Sequence, residues 1–494
     1  METSGEKRMT GTEKKLGLLA SDYGLSAIEK DYPVLGCAVD SRKVEAGFIF
    51  GAFPGTTVNG EDFIEKAILA GAIAIVARPE VNIDGAVHLA AENPRQAFAE
   101  IAAHFYAPFP PVMAAVTGTN GKTSVAELCR QLWTMAGHKA ASIGTLGVIT
   151  ENTQYSLGMT TPDIVTFLSG CADLAKSGVS HLIFEASSHG LDQYRSDGAK
   201  VIAGAFTSFS RDHLDYHETM ERYLEAKLRL FDERVALDGT AVVWADDPAA
   251  ETVIAHIRKR GLNLIDIGKN AEAIRILDVQ ADSKGQDITL SIKDKPYQIR
   301  LPLIGGYQLS NALVAAGLVM ATGGDVEETM AALSRLKPVR GRLERATDTE
   351  QGAEIYVDYA HTPDGLRAAI EALRPHTEGR LLVVFGAGGD RDRGKRPEMA
   401  KIAASLADHV IVTDDNPRGE DAAAIRKEVL VGAPLAEEIG GRKKAIFSAV
   451  RQAHKGDIVL IAGKGHEQGQ IIGRGDDMRV LPFDDVTVAK KAVL

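Results

Sequence analysis

Cysteines and long apolar segments are scarce in this chain. Its 494 residues include only three cysteines, Cys37, Cys129 and Cys171, and none belongs to a CxxC or CxxH motif. Neither a disulfide framework nor a thiolate zinc site is predicted. The N-terminal segment METSGEKRMTGTEKK is polar, and the longest apolar run, AILAGAIAIVA at 67–77, is shorter than the roughly 20 residues that cross a bilayer. We therefore expect a cytoplasmic protein without membrane insertion.

An excess of positive charge is also missing. Lys and Arg number 56 against 67 Asp and Glu, so the formal net charge is −11 and no broad basic surface for nucleic acid is predicted. The nucleophile motifs of many hydrolases, a G-x-S-x-G elbow or a Cys/His arrangement, are not found. An anionic small molecule held in a local basic pocket remains compatible with this composition.

The length and the strand pattern predict three α/β domains, since one domain takes roughly 100–200 residues. From residue 112 onward, short apolar strands alternate with amphipathic segments, which is typical of a parallel sheet. Turn signals beyond residue 270 predict an antiparallel patch, and a second α/β series begins near residue 353. The predicted ranges are an N-terminal domain over 1–111 (with 1–14 as a tail), a central domain over 112–343 and a C-terminal domain over 344–494.

A glycine-rich loop, VTGTNGKTS at 116–124, joins a predicted strand to a predicted helix. Gly118 and Gly121 leave backbone N–H groups accessible to phosphates, and Lys122 can neutralise them. The Thr123 hydroxyl is placed to bind Mg²⁺. Because Val116 stands where the first glycine of a full P-loop is expected, this is a shortened variant. A tight turn with a surface lysine is the alternative, and the loop alone does not separate a synthetase from a GTPase, a transport ATPase or a kinase.

Acidic and imidazole side chains follow the next predicted strands. Glu185, at the end of the strand predicted in HLIFEA, is either a second Mg²⁺ contact or an acid that caps a helix. The segment SFSRDHLDYH contains four such groups, Asp212, His213, Asp215 and His217. They form either a metal site or ordinary surface groups. Lys227, in YLEAKLRLF, is by its own pattern a solvated helix lysine.

Seven motifs resemble those of the Mur ligases and follow one another in order: TGTNGKTS, EASSHGLDQYR, SRDHLDYH, DYAHTPDGL, GGDRDRGKRPEM, DNPR and GKGHE. The resemblance covers nearly the whole chain beyond the N-terminal tail. GTNGKT is shared with folylpolyglutamate synthases, whereas the C-terminal set resembles the Mur ligases that add diaminopimelate. The resemblance implies an N-terminal domain for the UDP end, a central ATPase domain and a Rossmann-like C-terminal domain, the last two closing on each other. A monomer is expected.

The resemblance implies that ATP drives amide formation between meso-2,6-diaminopimelate and the D-glutamate of UDP-N-acetylmuramoyl-L-alanyl-D-glutamate, in peptidoglycan precursor synthesis. A carboxylate must be activated before it forms an amide, and phosphorylation by ATP to an acyl phosphate supplies this. The protein then mainly positions groups and neutralises charge. The alternatives are L-lysine as acceptor, a folylpolyglutamate synthase-like ligase, and a nucleotide-hydrolysing switch or transport ATPase.

Matching positions imply the site residues. The ATP side comprises Gly118, Thr119, Asn120, Gly121, Lys122, Thr123, Ser124, Asn311, Arg342 and Asp358. Two Mg²⁺ ions are assigned to Thr123, Glu185, His213 and Lys227, the last as a carbamate, and Lys122, Lys227 and His213 are the catalytic assignments. The UDP-muramoyl-dipeptide is assigned to Val39, Ser41, Thr56, Thr57, Val58, Thr160, Thr161, Ser187, Gln193 and Arg195. Diaminopimelate is assigned to Arg391, Asp415, Asn416, Pro417, Arg418, Gly463 and Glu467.

Three details concern recognition. Trp244 and Gln308 stand where the family commonly has asparagine, near the expected adenine side. Diaminopimelate differs from lysine by a second carboxylate, which the planar guanidinium of Arg418 can hold through two parallel hydrogen bonds. Asp415 and Asn416 can orient the neighbouring ammonium, and Pro417 stiffens the turn.

Overall fold

The computed structural model describes residues 14–21, 32–55, 58–282 and 284–493, and these fall into two compact units. The first unit comprises 1–111, 157–180 and 186–200, and the second comprises 112–156, 181–185 and 201–494. The tail assigned to residues 1–14 lies outside the described residues except for Lys14. The three continuous domain ranges stay a prediction. The α/β class is confirmed, because every large sheet contains parallel strands alternating with helices.

The first unit is built on a four-stranded parallel sheet. Its strands lie in the order Gly36–Ala38, Phe48–Gly51, Ala74–Ala77 and Val87–Ala90. Its helices are Leu16–Ser21, Ile64–Leu69, Pro94–Tyr106, Ile164–Lys176 and Ser188–Asp192. Phe50 and Ile75, from neighbouring strands, are buried in its core. The apolar run at 67–77 forms the end of a helix and a strand.

The second unit contains an eleven-stranded sheet, parallel in the middle and antiparallel at both ends. Across the sheet the order is Lys295–Leu301, Gly285–Ile292, Ile274–Asp282, Asn263–Gly268, Val235–Trp244, Val201–Phe206, Val112–Thr117, His181–Glu185, Ala140–Gly144, Gly147–Ile149 and Gln154–Tyr155. The antiparallel strands between 274 and 301 confirm the predicted patch. The strand that ends at Thr117 lies between those that end at Phe206 and Glu185. The loops that follow these three strands therefore meet at one edge.

The helices around this sheet are Lys122–Met135, Leu214–His217, Met220–Arg229, Ala250–Arg260, Gly306–Ala321 and Val326–Ala332. The helix Gly306–Ala321 is buried along most of its length and packs against Lys122–Met135. Such burial is expected of a helix that is apolar on nearly all sides. Trp133 is 1% exposed, and its Nε1 donates to Thr322 Oγ1 at 3.2 Å. The helix that begins at the phosphate loop is thereby anchored in the core.

A six-stranded sheet forms the C-terminal part of the second unit. Its order is Glu344–Asp348, Glu354–Asp358, Ile458–Ala462, Leu381–Phe385, His409–Val412 and Glu437–Glu438, with only the first pair antiparallel. Its helices are Pro363–Leu373, Lys395–Leu406, Ala422–Leu430, Arg442–Gln452 and Asp485–Ala492, and Gly469–Ile472 pairs with Arg479–Pro482 as a hairpin. Core residues cover both faces, which explains the uninterrupted apolar run LLVVF. Among the described residues no helix is long and apolar enough to span a membrane.

A buried ion pair joins two of these helices to the sheet. Arg442 and Asp485 are both 0% exposed, and Nε and one terminal nitrogen of Arg442 donate to the two carboxylate oxygens at 2.8 and 2.7 Å. Arg442 also donates to the Ala462 carbonyl at 2.8 Å. Burial raises the pKa of Asp485, and the Arg442 guanidinium counteracts that rise. The pair thus holds both helices at the end of a central strand.

We expect Arg442→Met to lower the free energy of unfolding of the second unit by about 3–5 kcal/mol, because it leaves the Asp485 carboxylate buried and unpaired. Arg374→Met is the matched control, since it removes a partly exposed pair with Asp408 and should cost less than about 1 kcal/mol. Urea denaturation followed by circular dichroism measures both. Equal destabilisation by the two substitutions would contradict the role assigned to the buried pair.

Candidate active site

The phosphate loop is held tightly against the loop that follows the neighbouring strand. Gly118 and Gly121 have backbone φ angles of +141° and +89°. Residues with a side chain rarely adopt such angles. A Cβ atom on Gly118 would stand 2.0 Å from Thr207 Oγ1. The Asn120 N–H donates to Ser208 Oγ at 3.0 Å, and Thr207 Oγ1 donates to the Asn120 carbonyl at 2.6 Å. Both glycines are therefore required by backbone conformation and by close packing.

Two lysines donate to the same carbonyl of this loop. Lys122 Nζ lies 2.8 Å from the Gly118 and Thr119 carbonyl oxygens, and Lys227 Nζ lies 2.7 Å from that of Gly118. Lys227 is 1% exposed, and its Nζ lies 4.3 Å from the centre of the Tyr223 ring. Burial lowers the pKa of Lys227 well below its ordinary value, and the positive Lys122 acts in the same direction. The interpretation of Lys227 as a solvated helix lysine is wrong.

Glu185 lies beside the loop and does not cap a helix. Thr123 Oγ1 donates to Glu185 Oε2 at 3.1 Å, and Thr145 donates to the carboxylate through its N–H at 2.7 Å and its hydroxyl at 3.1 Å. The helix Ser188–Asp192 is capped by Ser187, so the capping alternative for Glu185 is wrong. Arg342 donates to Thr123 Oγ1 at 2.9 Å. A hydroxyl beside a carboxylate is an oxygen donor set of the kind that Mg²⁺ prefers.

The residues of the SFSRDHLDYH segment do not form a ready-made metal site. Within the described ranges, no group of three or more His, Cys, Asp or Glu side chains lies close enough together to hold a metal ion. His213 has a left-handed backbone with φ of +54°, and its Nε2 lies 3.4 Å from Asp212 Oδ2. His217 is buried and packs against the Tyr223 ring. A metal ion here would need additional ligands, such as phosphate oxygens or a modified lysine.

Asp212 is buried where the two sheets of the second unit meet. Its carboxylate lies 3.9 Å from His361 Nε2 and 3.7 Å from Lys395 Nζ, both in the C-terminal part. Burial alone would raise the pKa of Asp212, but His213, Lys395 and His361 hold it below its usual range. Asp212 is therefore a buried carboxylate whose negative charge is compensated by Lys395 and by neighbouring imidazole groups.

A cavity of about 130 Å³ opens at the strand ends of the C-terminal sheet. Six of the seven residues predicted for diaminopimelate line it: Arg391, Asp415, Asn416, Arg418, Gly463 and Glu467. Pro417 supports the loop instead, and its carbonyl accepts from the Glu420 N–H at 3.0 Å. Further lining residues had not been predicted to bind diaminopimelate, among them Asp212, Tyr359, His361 and Lys395. These residues stand just after strands or within the quoted motifs. Their position in the sequence could therefore have predicted that they line the cavity.

A lysine that the sequence analysis overlooked organises the acidic side of this cavity. Lys464 is 0% exposed, and its Nζ donates to Asn416 Oδ1 at 2.8 Å and to Glu467 Oε2 at 2.9 Å. It also lies 3.4 Å from Asp415 Oδ1. The Asn416 amide donates to Glu467 Oε2 at 2.8 Å. Because its polar groups are mutually bonded, the network presents a fixed arrangement to the cavity.

Arginines give the other side of the cavity its positive charge. Arg418 has a left-handed backbone with φ of +50°, and one guanidinium nitrogen donates to the Gly389 carbonyl at 2.9 Å. The backbone N–H of Arg418 donates to the Ile471 carbonyl at 3.1 Å. This bond connects the Arg418 loop to the hairpin formed by Gly469–Ile472 and Arg479–Pro482. Burial lowers the pKa of Arg418, and the nearby Arg391 adds to this effect. Arginine nevertheless stays protonated in proteins. The guanidinium groups of Arg391 and Arg418, which both line the cavity, are therefore suited to an anion.

Two further residues predicted to bind ATP, Asn311 and Asp358, lie in different surroundings. Asn311 lies against the loop, because a Cβ on Gly121 would come within 2.4 Å of its Oδ1. Asp358 is buried and accepts from the Leu343 N–H at 2.7 Å and the Tyr307 hydroxyl at 3.1 Å. Asp358 thus supports the junction between the two sheets, and its role at ATP stays a prediction.

The two departures from the family pattern lie in packed surroundings. Gln308 is 2% exposed, and its amide donates to the Arg342 carbonyl at 3.0 Å. Trp244 is partly buried and packs against the core of the large sheet. Gln308 therefore acts on the backbone of Arg342, the residue that donates to Thr123.

The first unit has its own cavity, of about 570 Å³. Five of the residues predicted for the UDP-muramoyl-dipeptide line it: Val39, Ser41, Val58, Gln193 and Arg195. Thr161 and Ser187 hydrogen-bond to each other at 2.9 Å, and Arg195 donates to the Thr161 carbonyl at 3.3 Å. Thr160 is half-buried and is not one of the described residues that line the cavity. Thr56 and Thr57 lie outside the described residues.

Charge in this cavity is predominantly positive. Its lining includes four cations, Arg42, Lys66, Arg95 and Arg195, and two acids, Asp40 and Asp163. The Arg95 guanidinium lies 4.9 Å from the centre of the Phe53 ring. A large cavity with cations and an aromatic face is suited to an anionic ligand that also has apolar surface.

Three segments of the chain match models of one family. Residues 33–115 match the catalytic domain of the Mur ligase family, 116–319 the Mur ligase middle domain and 341–465 the Mur ligase glutamate ligase domain.

Individual relatives are similar in sequence to this chain over nearly its full length. A protein of Zymomonas mobilis subsp. mobilis named UDP-N-acetylmuramoyl-L-alanyl-D-glutamate–2,6-diaminopimelate ligase is 84% identical over 98% of this chain and 100% of its own. A protein of the same name from Caulobacter vibrioides is 48% identical over 94% of this chain and 96% of its own. A solved structure of a ligase with this name has a TM-score of 0.68 and 33% identity, covering 95% of this chain and 97% of that one. The chain belongs to the Mur ligase family.

Proposed function

We propose that this Mur ligase uses ATP to join meso-2,6-diaminopimelate to the D-glutamate carboxylate of UDP-N-acetylmuramoyl-L-alanyl-D-glutamate, releasing ADP and phosphate in peptidoglycan precursor synthesis. The observation that carries the proposal is the small cavity in which Arg391 and Arg418 face Asp415 and Glu467. The far end of diaminopimelate bears an ammonium and a carboxylate on one carbon, so it needs partners of both signs. The names of the two relatives, which align over nearly their whole length, support the same substrates.

Discrimination against L-lysine follows from the same geometry. Arg418 is partly buried and bonded to a backbone carbonyl, so its guanidinium is oriented before substrate arrives. L-lysine would bring no carboxylate to it, and an unpaired buried polar group costs about 1–3 kcal/mol. That cost corresponds to a preference of about tenfold to hundredfold from one contact. Lys464 keeps Asp415 and Glu467 from imposing an uncompensated negative charge on the cavity.

The phosphate chemistry is assigned to the loop and its lysines. Lys122 can exchange its bonds to the Gly118 and Thr119 carbonyls for phosphate oxygens and reduce the repulsion between the phosphates and the substrate carboxylate. Thr123, Glu185 and His213, with Lys227 as a carbamate, would hold two Mg²⁺ ions, which supply charge neutralisation at the phosphates. Because burial lowers its pKa, Lys227 offers the neutral amine that carbamate formation with CO₂ requires.

The nucleotide-sugar substrate is assigned to the cavity of the first unit. Its cations suit the diphosphate, and the Thr161–Ser187–Arg195 group is assigned to the dipeptide. We also propose that the protein acts as a cytoplasmic monomer.

The deciding experiment is an acceptor panel with ATP, Mg²⁺ and the UDP-muramoyl-dipeptide. Phosphate release should depend on both the dipeptide and an amino acid, with meso-diaminopimelate preferred over its stereoisomers and L-lysine. Preference for L-lysine would reject the acceptor assignment. Phosphate release that needs neither substrate would instead indicate a nucleotide-hydrolysing switch.

Lys122→Ala should abolish turnover and leave the fold intact, because the phosphates lose their main cationic partner. Steady-state phosphate release and the circular dichroism spectrum measure the two properties. Lys295→Ala, which removes a surface pair with Glu327, is the matched control and should retain activity. Near-normal product formation by the Lys122 variant would show that the loop assignment is wrong.

Arg418→Ala should raise the KM for diaminopimelate by about tenfold to hundredfold while the KM for ATP stays close to its original value, because Arg418 lines the C-terminal cavity of about 130 Å³ that is assigned to the acceptor amino acid, the acceptor cavity. Initial-rate kinetics with each substrate varied in turn provide the comparison. Arg345→Ala, at a partly exposed pair with Asp348, should change neither constant. Similar losses for both substrates would refute the assignment of Arg418.

Lys227→Met should remove the carbamate and most of the activity together. Incubation with ¹³C-bicarbonate should produce a carbamate carbon signal in the NMR spectrum of the original protein, and the variant should lack it. If the original protein shows no such signal at full activity, the carbamate assignment fails.

A further inference from the structure

The amino group of the acceptor is protonated in neutral solution, and it must lose that proton before it can attack the acyl phosphate. None of the residues assigned above takes this proton. We propose that His361 is the general base, receiving the proton on Nε2. This inference rests on the proposed function and extends it to a residue for which no role has been assigned.

His361 lies between the phosphate loop and the acceptor cavity. It stands in the turn that connects the strand Glu354–Asp358 to the helix Pro363–Leu373. Its imidazole lines the acceptor cavity and is 34% exposed. The first turn of the helix that follows, Pro363–Leu373, approaches the phosphate loop, since a Cβ on its Gly365 would lie 3.7 Å from Asn120 Oδ1. The turn is therefore at the place where an acyl phosphate on the loop would meet an amine in the cavity.

The hydrogen bonds of His361 define which nitrogen is the base. Nδ1 lies 2.8 Å from the Tyr359 carbonyl oxygen. A carbonyl oxygen only accepts hydrogen bonds, so Nδ1 carries the hydrogen and Nε2 of the neutral ring carries the lone pair. Nε2 lies 3.9 Å from Asp212 Oδ2. The basic nitrogen thus faces a carboxylate that stabilises the imidazolium once the proton has moved.

The surroundings keep His361 neutral before reaction. Partial burial lowers its pKa, Lys395 acts in the same direction and Asp212 opposes the decrease. Arg342 also lowers it, and His466 and Asp415 are further titratable groups that interact with the ring. The imidazole therefore occupies the unprotonated form that a base requires at neutral pH.

Asp212 is the competing base, but its environment makes it a weak one. Its carboxylate oxygens lie 3.4 Å from His213 Nε2 and 3.7 Å from Lys395 Nζ, so neighbouring side chains already engage them. Its place 3.9 Å from His361 Nε2 suits it to stabilise the imidazolium that forms there. A proton acceptor is most effective when its pKa lies near the working pH, which favours the imidazole.

Proton transfer precedes formation of the C–N bond. The ammonium transfers one proton to His361 Nε2, and the neutral nitrogen attacks the acyl carbon to form the C–N bond. The tetrahedral intermediate then breaks its C–O bond, and the electron pair leaves on the phosphate oxygen. The second proton of the nitrogen goes to the departing phosphate, and His361 returns its proton to solvent.

The test compares His361→Gln with His454→Gln in the full chain, supplied with ATP, Mg²⁺ and the UDP-muramoyl-dipeptide. His454 is exposed and lies outside the acceptor cavity, so its variant should retain full activity. Two acceptors are used at several pH values. Diaminopimelate requires deprotonation, whereas hydroxylamine is largely unprotonated at neutral pH and traps the acyl phosphate as a hydroxamate.

For His361→Gln we expect kcat with diaminopimelate to fall by about a hundredfold or more, with little change in KM. The loss should shrink as the pH rises, because more of the amine then arrives unprotonated. Hydroxamate formation should stay close to that of the original protein. Undiminished kcat with diaminopimelate, or equal loss of both reactions, would overturn the assignment, since equal loss indicates a positioning role. If the original protein forms no hydroxamate that depends on ATP and the dipeptide, the proposed function itself fails, and this inference with it.

Discussion

The buried carboxylate of Asp212 is the interaction on which the active site depends. It follows a strand of the large sheet, and it lies within 4 Å of His361 and Lys395 from the C-terminal part. An ionised carboxylate in such surroundings is stable only while positive groups remain beside it. The same contact therefore joins the segment after the strand Val201–Phe206 to the C-terminal part of the second unit. Arg342, which reaches Thr123, adds a second link of the same kind.

Charge compensation also organises the acceptor cavity. Lys464 is fully buried, and its three polar neighbours each bond to it or lie within 3.4 Å of it. Arg418 is bound at its backbone to the hairpin and at its side chain to the Gly389 carbonyl. Both signs of charge are thus oriented before substrate binds, which reduces the entropy cost of recognising a zwitterionic group. The proposed selectivity between diaminopimelate and L-lysine depends on this orientation.

Several strands and the chemistry-bearing loops could be predicted from the sequence. Apolar runs such as LLVVF became buried strands, and the turn signals beyond residue 270 became antiparallel strands. The roles of single side chains were harder to predict, because they depend on neighbours that are distant along the chain. Glu185 was compatible with a helix cap until its bonds to Thr123 and Thr145 were seen. Lys227 looked like an ordinary helix lysine, whereas packing buries it against the phosphate loop.

By itself, the sequence determined the α/β class, the glycine-rich loop and the order of the motifs, whereas six residues that line the C-terminal cavity were implied by the family resemblance. These are local properties, since strands, tight turns and loop chemistry depend on residues that are close in the chain. The tertiary structure alone decided which side chains are buried, which carboxylates are paired and which nitrogen of His361 carries a lone pair. Those properties depend on desolvation and on charges that only folding brings within a few ångströms. For that reason the sequence located the loops that carry polar side chains, and the fold determined how those side chains are buried and paired.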